Sequence, residues 1–226
     1  QMIVAGAGSG KTRVITSRIA YLLEHYRVPA SAIVALTFTN RAGTEMKERI
    51  KKYLPNSALP FVGTFHSYCV KLLKQHSAYL PFSDFSIMDT EDQRALLKRI
   101  MENYGVEKQI TPAKMQGLIS LSKNKLPGAN DFGFPPAPFF TEVATAYEKE
   151  KNRSHSYDFD DLLLVTLDLI KKNPPLRALL QRTIRHLLVD EYQDTNQVQH
   201  ELLKYIAFKE DGTLALESVC AVGDQD

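Results

Sequence analysis

The sequence predicts an α/β protein: a parallel sheet with helices on both faces, interrupted by an all-helical insertion. Three observations predict it. Short apolar runs alternate with helix-period segments through the first third of the 226 residues, the pattern of parallel strands joined by helical crossovers. A glycine-rich loop, Ala5-Gly6-Ala7-Gly8-Ser9-Gly10-Lys11-Thr12, joins the first of these strands to the first helix. After a long stretch without strand signals, an apolar run ending in Asp190-Glu191 resumes the pattern.

The elements follow in order. Residues 2–5 read as a strand; from Thr12 the residues Ile15, Ile19, Leu22 and Leu23 recur at helical spacing as far as Tyr26, and Pro29 closes that unit. Residues 33–38 (Ile-Val-Ala-Leu-Thr-Phe) form a continuous apolar run suited to a buried parallel strand. A charged amphipathic helix over 42–53, a third strand over 61–64 and a helix over 67–75 complete the first sheet segment. The character changes near Ala78. Thr90-Glu91-Asp92-Gln93 is a helix start, with Leu96, Leu97, Ile100 and Met101 on the buried face. Further helices over 111–122 and 141–151 flank a Pro/Gly-rich stretch at 126–138, and helices over 157–171 and 176–186 lead back. A strand over 187–190, a helix over 196–208 and a strand over 218–222 finish the sheet. These readings divide the chain into a sheet domain, 1–77 with 178–226, and an insertion, 78–177.

Composition narrows the class. Hydrophobic content of 44% and charged content of 24% are ordinary for a soluble globular protein. A net charge of +2 is too mild to argue nucleic-acid binding, so any basic face must be local. The two cysteines, Cys69 and Cys220, make neither a disulfide framework nor a zinc pattern and point to a reducing, cytoplasmic (or nuclear) setting. His66 and Cys69 share a helical face, but two ligands do not make a metal site. No apolar run approaches the roughly 18 residues of a membrane span, and a signal peptide is not expected. The chain opens at Gln1 on a strand approach and stops at Asp226 just after a strand, so a longer parent protein is expected.

The glycine loop carries the most chemistry. Small residues let successive backbone N–H groups converge, and a helix N-terminus adds its partial positive charge. Gly6, Ala7, Gly8, Ser9 and Gly10 would cradle a nucleotide phosphate chain, Lys11 would reach the β- and γ-phosphates, and the Thr12 hydroxyl would bind Mg²⁺. The strict pattern begins with glycine; Ala5 stands there instead. A Mg²⁺-nucleotide also needs a carboxylate on the metal and a base for the attacking water. Asp190 suits the first task and Glu191 the second. Alone, Val-Asp-Glu reads rather as a strand-end acidic turn; paired with the glycine loop it reads as the second half of one site.

Five segments in order then resemble the motif set of superfamily 1 DNA helicases of the UvrD/Rep/PcrA type: residues 5–13, Thr37-Phe38-Thr39-Asn40, Val62-Gly63-Thr64-Phe65-His66-Ser67, Asp190-Glu191-Tyr192-Gln193-Asp194-Thr195, and Gly223-Asp224. Tyr157-Asp158-Phe159-Asp160-Asp161-Leu162 resembles a segment those proteins carry before the fourth of these. The resemblance implies a RecA-like P-loop motor lobe (1A-type) with a 1B-type insertion, using ATP and Mg²⁺ to move 3′ to 5′ on single-stranded DNA and at single-/double-strand junctions. It implies that Arg13 lies against adenine, that Lys11 and Glu191 are catalytic, and that Thr12 and Asp190 hold the metal. Thr37, Phe38, Asn40, Thr64, Phe65 and His66 would face single-stranded DNA, consistent with hydroxyls and amides binding phosphates and rings stacking on bases. Phe38 and Phe65 are also plain core candidates at strand ends.

Asp158, Asp160 and Asp161 could be a second metal site, but a solvated acidic face or a helix N-terminal charge cluster is the favoured reading. Lys108, Lys114, Lys123 and Lys125 could touch duplex DNA or simply solubilise exposed helices. The resemblance implies a γ-phosphate-sensing glutamine just beyond the end of the sequence, a place Gln225 is not expected to fill, and a C-terminal motor lobe that is not in the sequence. Weak nucleotide binding and little or no hydrolysis are therefore expected of this piece alone. Two alternatives remain open: the motor part of a RecB/AddA-like helicase–nuclease, and a P-loop ATPase that does not act on DNA.

Overall fold

The computed structural model describes residues 2–4, 10–124 and 139–224. In chain order the first segment runs β1 (Met2–Val4), α1 (Lys11–Glu24), β2 (Ile33–Thr37), α2 (Asn40–Tyr53), β3 (Phe61–Thr64) and α3 (Phe65–Gln75). The middle carries β4 (Ser86–Ile87), α4 (Thr90–Asn103), α5 (Pro112–Asn124), α6 (Phe140–Arg153), β5 (Ser156–Tyr157) and α7 (Phe159–Lys172). The last part adds α8 (Pro174–Thr183), β6 (His186–Val189), α9 (Gln197–Ala207) and β7 (Ser218–Gly223).

Two compact units result. One comprises Gln1–Lys71 with Leu167–Asp226, the other Leu72–Thr166. The borders fall inside α3 and α7, whereas the sequence reading divides the chain at 77/78 and 177/178. A helix that passes from one unit to the next keeps its periodicity, so local pattern does not mark the crossing.

The first unit is a five-stranded, all-parallel sheet of order β1-β7-β6-β2-β3. Every residue of β2 and β6 is buried, which is why both read as unbroken apolar runs rather than alternating ones. Ile15 and Ile19 of α1, Met46 and Ile50 of α2, and Val62, Leu188, Cys220 and Val222 of the sheet form one core. The register leaves the strand ends nearly level: Leu36 faces both Gly63 and Val189, and Val189 faces Ala221. The residues that follow the strands therefore emerge along one edge, the carboxyl edge where open α/β sheets bind ligands. α2 crosses β3 closely enough that a Cβ on Gly43 would lie 3.4 Å from the Gly63 Cα.

The second unit packs α4, α5 and α6 around Leu97, Met101, Met115, Ile119, Val143 and Tyr147. Asp89 starts α4 with a capping box to Asp92. Among its described residues the insertion has one strand pair, the two-residue parallel β4–β5, which carries Tyr157 against the rings of Phe82 and Phe85. Among the described residues no helix is long and apolar enough to cross a membrane.

The acidic run at the start of α7 is a helix N-terminal cluster, as favoured, but it is not solvated. Asp158 accepts from the Asp161 N–H at 2.9 Å, and the Asp158 N–H donates to the Asp161 carboxylate at 3.0 Å, a reciprocal cap. Asp158 is 2% exposed and Lys151 is 1% exposed. Lys123 and Lys151 donate to the Asp158 carboxylate at 2.7 and 2.8 Å, and Lys123 reaches Asp161 at 2.7 Å. Glu148, Asp158 and Asp161 present oxygens within 4.8 Å of one another, yet two ammonium groups already fill the position a metal would take. Lys123 is thus a structural cation rather than a solubilising one. Lys108 and Lys114 are exposed; Lys125 lies outside the described residues.

Candidate nucleotide site and the strand-end surface beside it

The loop from β1 to α1 falls mostly outside the described residues, so Gly6, Ala7, Gly8 and Ser9 receive no structural account. Its last residue, Gly10, is the N-cap of α1 with φ 87°, a left-handed conformation that favours glycine. No side chain caps α1, and its first turn holds no acid. By contrast α2 is capped by Thr39, and α9 by an Asn196–Gln199 capping box. An uncapped helix start keeps its N–H groups and partial positive charge for an anion. Thr12 is half-buried and Arg13 exposed on this first turn.

Lys11 is 8% exposed and reaches across the carboxyl edge. Its ammonium pairs with the Asp224 carboxylate and sits 3.2 Å from Glu191 Oε2. The hydrogen bond it donates to Asp224 raises its pKa most; burial opposes this and Glu191 adds to it, so the cation is held.

Asp190 follows β6, and its N–H donates to the Leu36 carbonyl at 2.9 Å, extending the β6–β2 ladder by one residue. The side chain is 2% exposed. Burial and then the neighbouring Glu191 charge raise its pKa, while the Glu191 N–H, Lys11 and a hydrogen bond with the Thr12 side chain restrain the rise. A buried carboxylate beside a threonine hydroxyl, disfavoured in its charged form, is a donor set suited to a hard divalent cation.

Glu191 is a non-glycine residue in the left-handed region, φ 50° and ψ 47°. Such conformations persist where the surroundings over-determine them, often at functional sites. Gln193 donates to Glu191 Oε2 at 2.8 Å and accepts from the Asp224 N–H at 3.0 Å. The structure thus brings Lys11, Thr12, Asp190 and Glu191 together and adds two groups missing from the sequence-derived set, Asp224 and Gln193. Asp224 was legible in principle: a lysine in a phosphate loop needs counter-charge, and Gly223-Asp224 ends a strand at the same edge. Gln193 was hidden by its place between more conspicuous acids.

The other expected residues lie at the ends of β2 and β3. Thr37 is fully buried and donates its hydroxyl to the Thr39 carbonyl at 3.1 Å. Asn40 is exposed and Phe38 half-buried. Phe65 is 1% exposed, its ring edge-on to Phe38 with centroids 5.7 Å apart. The Thr64 hydroxyl accepts from the Ser67 N–H at 3.2 Å as the cap of α3, and His66 is half-buried. In this conformation Phe38 offers the accessible ring and Phe65 supports it from beneath.

The sheet is that of a RecA-like α/β motor domain, with a lysine, a hydroxyl and two carboxylates meeting at its carboxyl edge. The match to known proteins makes the class specific: residues 1–226 fit the UvrD/REP helicase N-terminal domain, and the chain belongs to that family. It is 38% identical to the ATP-dependent DNA helicase PcrA of Bacillus subtilis and 37% identical to PcrA of Staphylococcus aureus, each alignment covering all of this chain and 31% of the relative. PcrA of Leuconostoc citreum is 38% identical over 100% of this chain and 30% of its own length. The chain therefore spans about a third of the curated relatives it matches.

Proposed function

We propose that this chain is the first motor lobe of an ATP-dependent DNA helicase that moves 3′ to 5′ along single-stranded DNA, with residues 1–77 and 178–226 as the ATP-binding part and 78–177 as its insertion. The supporting observation is the convergence of Lys11, Asp190, Glu191 and Asp224 at the carboxyl edge beside the uncapped start of α1. Gly6 to Thr12 hold the phosphates and Arg13 flanks the base. Thr12 and Asp190 hold Mg²⁺, which would neutralise charge building on the phosphates during transfer.

The residues divide the work by position. Lys11 exchanges the Asp224 carboxylate for phosphate oxygens, a swap of one anion for another that keeps the ammonium compensated. Glu191 accepts the proton of the attacking water; its side chain is 38% exposed, open enough for water to reach. At the neighbouring strand ends Phe38, Asn40, Thr64 and His66 meet single-stranded DNA, with Thr37 and Phe65 holding that surface in shape. The second motor lobe of the whole protein supplies the opposite wall of the nucleotide cleft, so the piece alone binds nucleotide weakly and turns over little.

The test is Phe38→Ala in the whole protein. Loss of one stacking ring should weaken single-stranded DNA binding roughly 5- to 100-fold, with the affinity for a non-hydrolysable ATP analogue unchanged. Single-strand affinity that survives both Phe38→Ala and Asn40→Ala would refute the DNA surface and leave a P-loop ATPase that acts on something else.

A further inference from the structure

We infer that Gln193 is the positioning residue for the Glu191 carboxylate, and that Gly223 lacks a side chain so that Gln193 can do this. The inference rests on the reading of Glu191 as the proton acceptor and adds the group that aims it.

Glu191 has two partners on its carboxylate, Lys11 at 3.2 Å and the Gln193 amide at 2.8 Å, and both sit on Oε2. No described residue donates to Oε1, which is left for water. Once Lys11 turns to a phosphate, Gln193 is the partner that remains. A carboxylate on a left-handed residue at the head of a three-residue turn, Tyr192–Asp194, has little else to fix its direction.

The Gln193 amide is itself fixed at both ends. Its oxygen must face the Asp224 N–H, a donor, and its NH₂ must face Glu191, an acceptor, so the flipped amide would lose both bonds. A donor held this way costs no reorganisation when the reaction calls on it. Asp224 closes a ring: its N–H holds Gln193, and its carboxylate holds Lys11 in the absence of phosphate.

Gly223 makes the space. A Cβ there would stand 2.6 Å from Gln193 Oε1, against 3.3 and 3.4 Å from the backbone nitrogens of Gln193 and Tyr192. The severe clash is with the Gln193 side chain alone. An alanine at 223 therefore expels the amide while the backbone contacts remain tolerable.

The experiment uses the whole protein and reads ATP hydrolysis on saturating single-stranded DNA. Gln193→Met keeps the length of the side chain and removes the donor. It should lower kcat roughly 10- to 100-fold, with KM for ATP and the affinity for a non-hydrolysable analogue within about threefold of wild type. Gly223→Ala should reproduce that defect, and adding Gly223→Ala to Gln193→Ala should cost little more, because the group it displaces is already gone. Glu191→Gln separates the two ideas. If it abolishes hydrolysis while Gln193→Met stays within about twofold of wild type, the positioning role is refuted and the base survives. If Glu191→Gln still hydrolyses ATP, the base fails and the positioning role with it. Loss of nucleotide affinity matching the loss of kcat would make Gln193 a binding residue and overturn the inference.

Discussion

Replacing Asp158 by asparagine would measure what holds the second unit together. The carboxylate receives Lys123 at 2.7 Å, Lys151 at 2.8 Å and the Tyr147 hydroxyl at 3.1 Å, and it also caps α7. Asparagine keeps the shape and the cap but removes the charge, leaving two buried ammonium groups to share Asp161 and Glu148. Breaking a buried pair from one side costs about 3–5 kcal/mol, and the surviving carboxylates place Asp158→Asn at the low end, about 3 kcal/mol. With a urea slope of about 1–3 kcal/mol per M, the unfolding midpoint falls by roughly 1–3 M, read by circular dichroism on this 226-residue chain. The pH dependence gives a second arm. Burial pushes the Asp158 pKa up, but Lys123 and Lys151 outweigh it and hold the carboxyl well below the usual range. A depressed carboxyl contributes stability that is present above its unfolded pKa of about 3.9 and is lost as pH falls through the folded value. The gap between wild type and Asp158→Asn should therefore be full at pH 7 and shrink below about pH 4. A gap under about 0.5 kcal/mol at pH 7, or one that stays constant into acid, refutes the ion-pair account. Strong stabilisation of the wild type alone by added Ca²⁺ or Mg²⁺ would instead establish a metal site.

Lys11→Met should abolish DNA-stimulated hydrolysis, by about 100-fold or more, and should leave Asp224 and Glu191 as like charges without their shared cation; residual turnover near wild type would remove Lys11 from the machinery. Gly63→Ala places a Cβ 2.7 Å from the Ser67 hydroxyl and 3.3 Å from the Phe61 ring, so a loss of about 1–3 kcal/mol is expected in urea melts, largely recovered by adding Ser67→Ala. Burial lowers the His186 pKa; Glu217 pulls it back up, and Arg185 and Arg18 add to the lowering. Since the unfolded chain takes up the proton first, stability should fall as pH drops below about 6.5, and His186→Asn should flatten that part of the profile.

The order of elements was legible because the sheet is parallel and doubly covered. Its central strands must be apolar on both faces, and residues such as 33–37 show this without tertiary information. That Lys11, Thr12, Asp190 and Glu191 lie at one sheet edge was legible because a glycine loop after one strand and an acidic pair after another both fall at the carboxyl ends of a parallel sheet. Three things were not legible. The unit borders lie within continuous helices. The buried state of Asp158 and Lys151 depends on partners up to 35 positions apart meeting between α5, α6 and α7, and by composition alone such charges read as solvated. Gln193 owes its place to the absent side chain at Gly223, a vacancy that no local pattern marks.

The two groups of residues at the carboxyl edge are joined by the sheet itself. Asp190 is the first residue beyond β6, and its N–H is bonded to Leu36, only two positions before Phe38. Phe38 in turn leans on Phe65, the first residue of α3. On the proposed reading, a shift of the Asp190-Glu191 segment toward bound nucleotide would act on a hydrogen bond at the root of the Phe38 loop. Packed strands resist gradual deformation, while the exposed ends that carry Phe38 and Asn40 do not. One connection between the proposed phosphate site and the strand-end surface is thus one hydrogen bond and two residues long, and Thr37 lies on it, buried, with its hydroxyl on the Thr39 carbonyl.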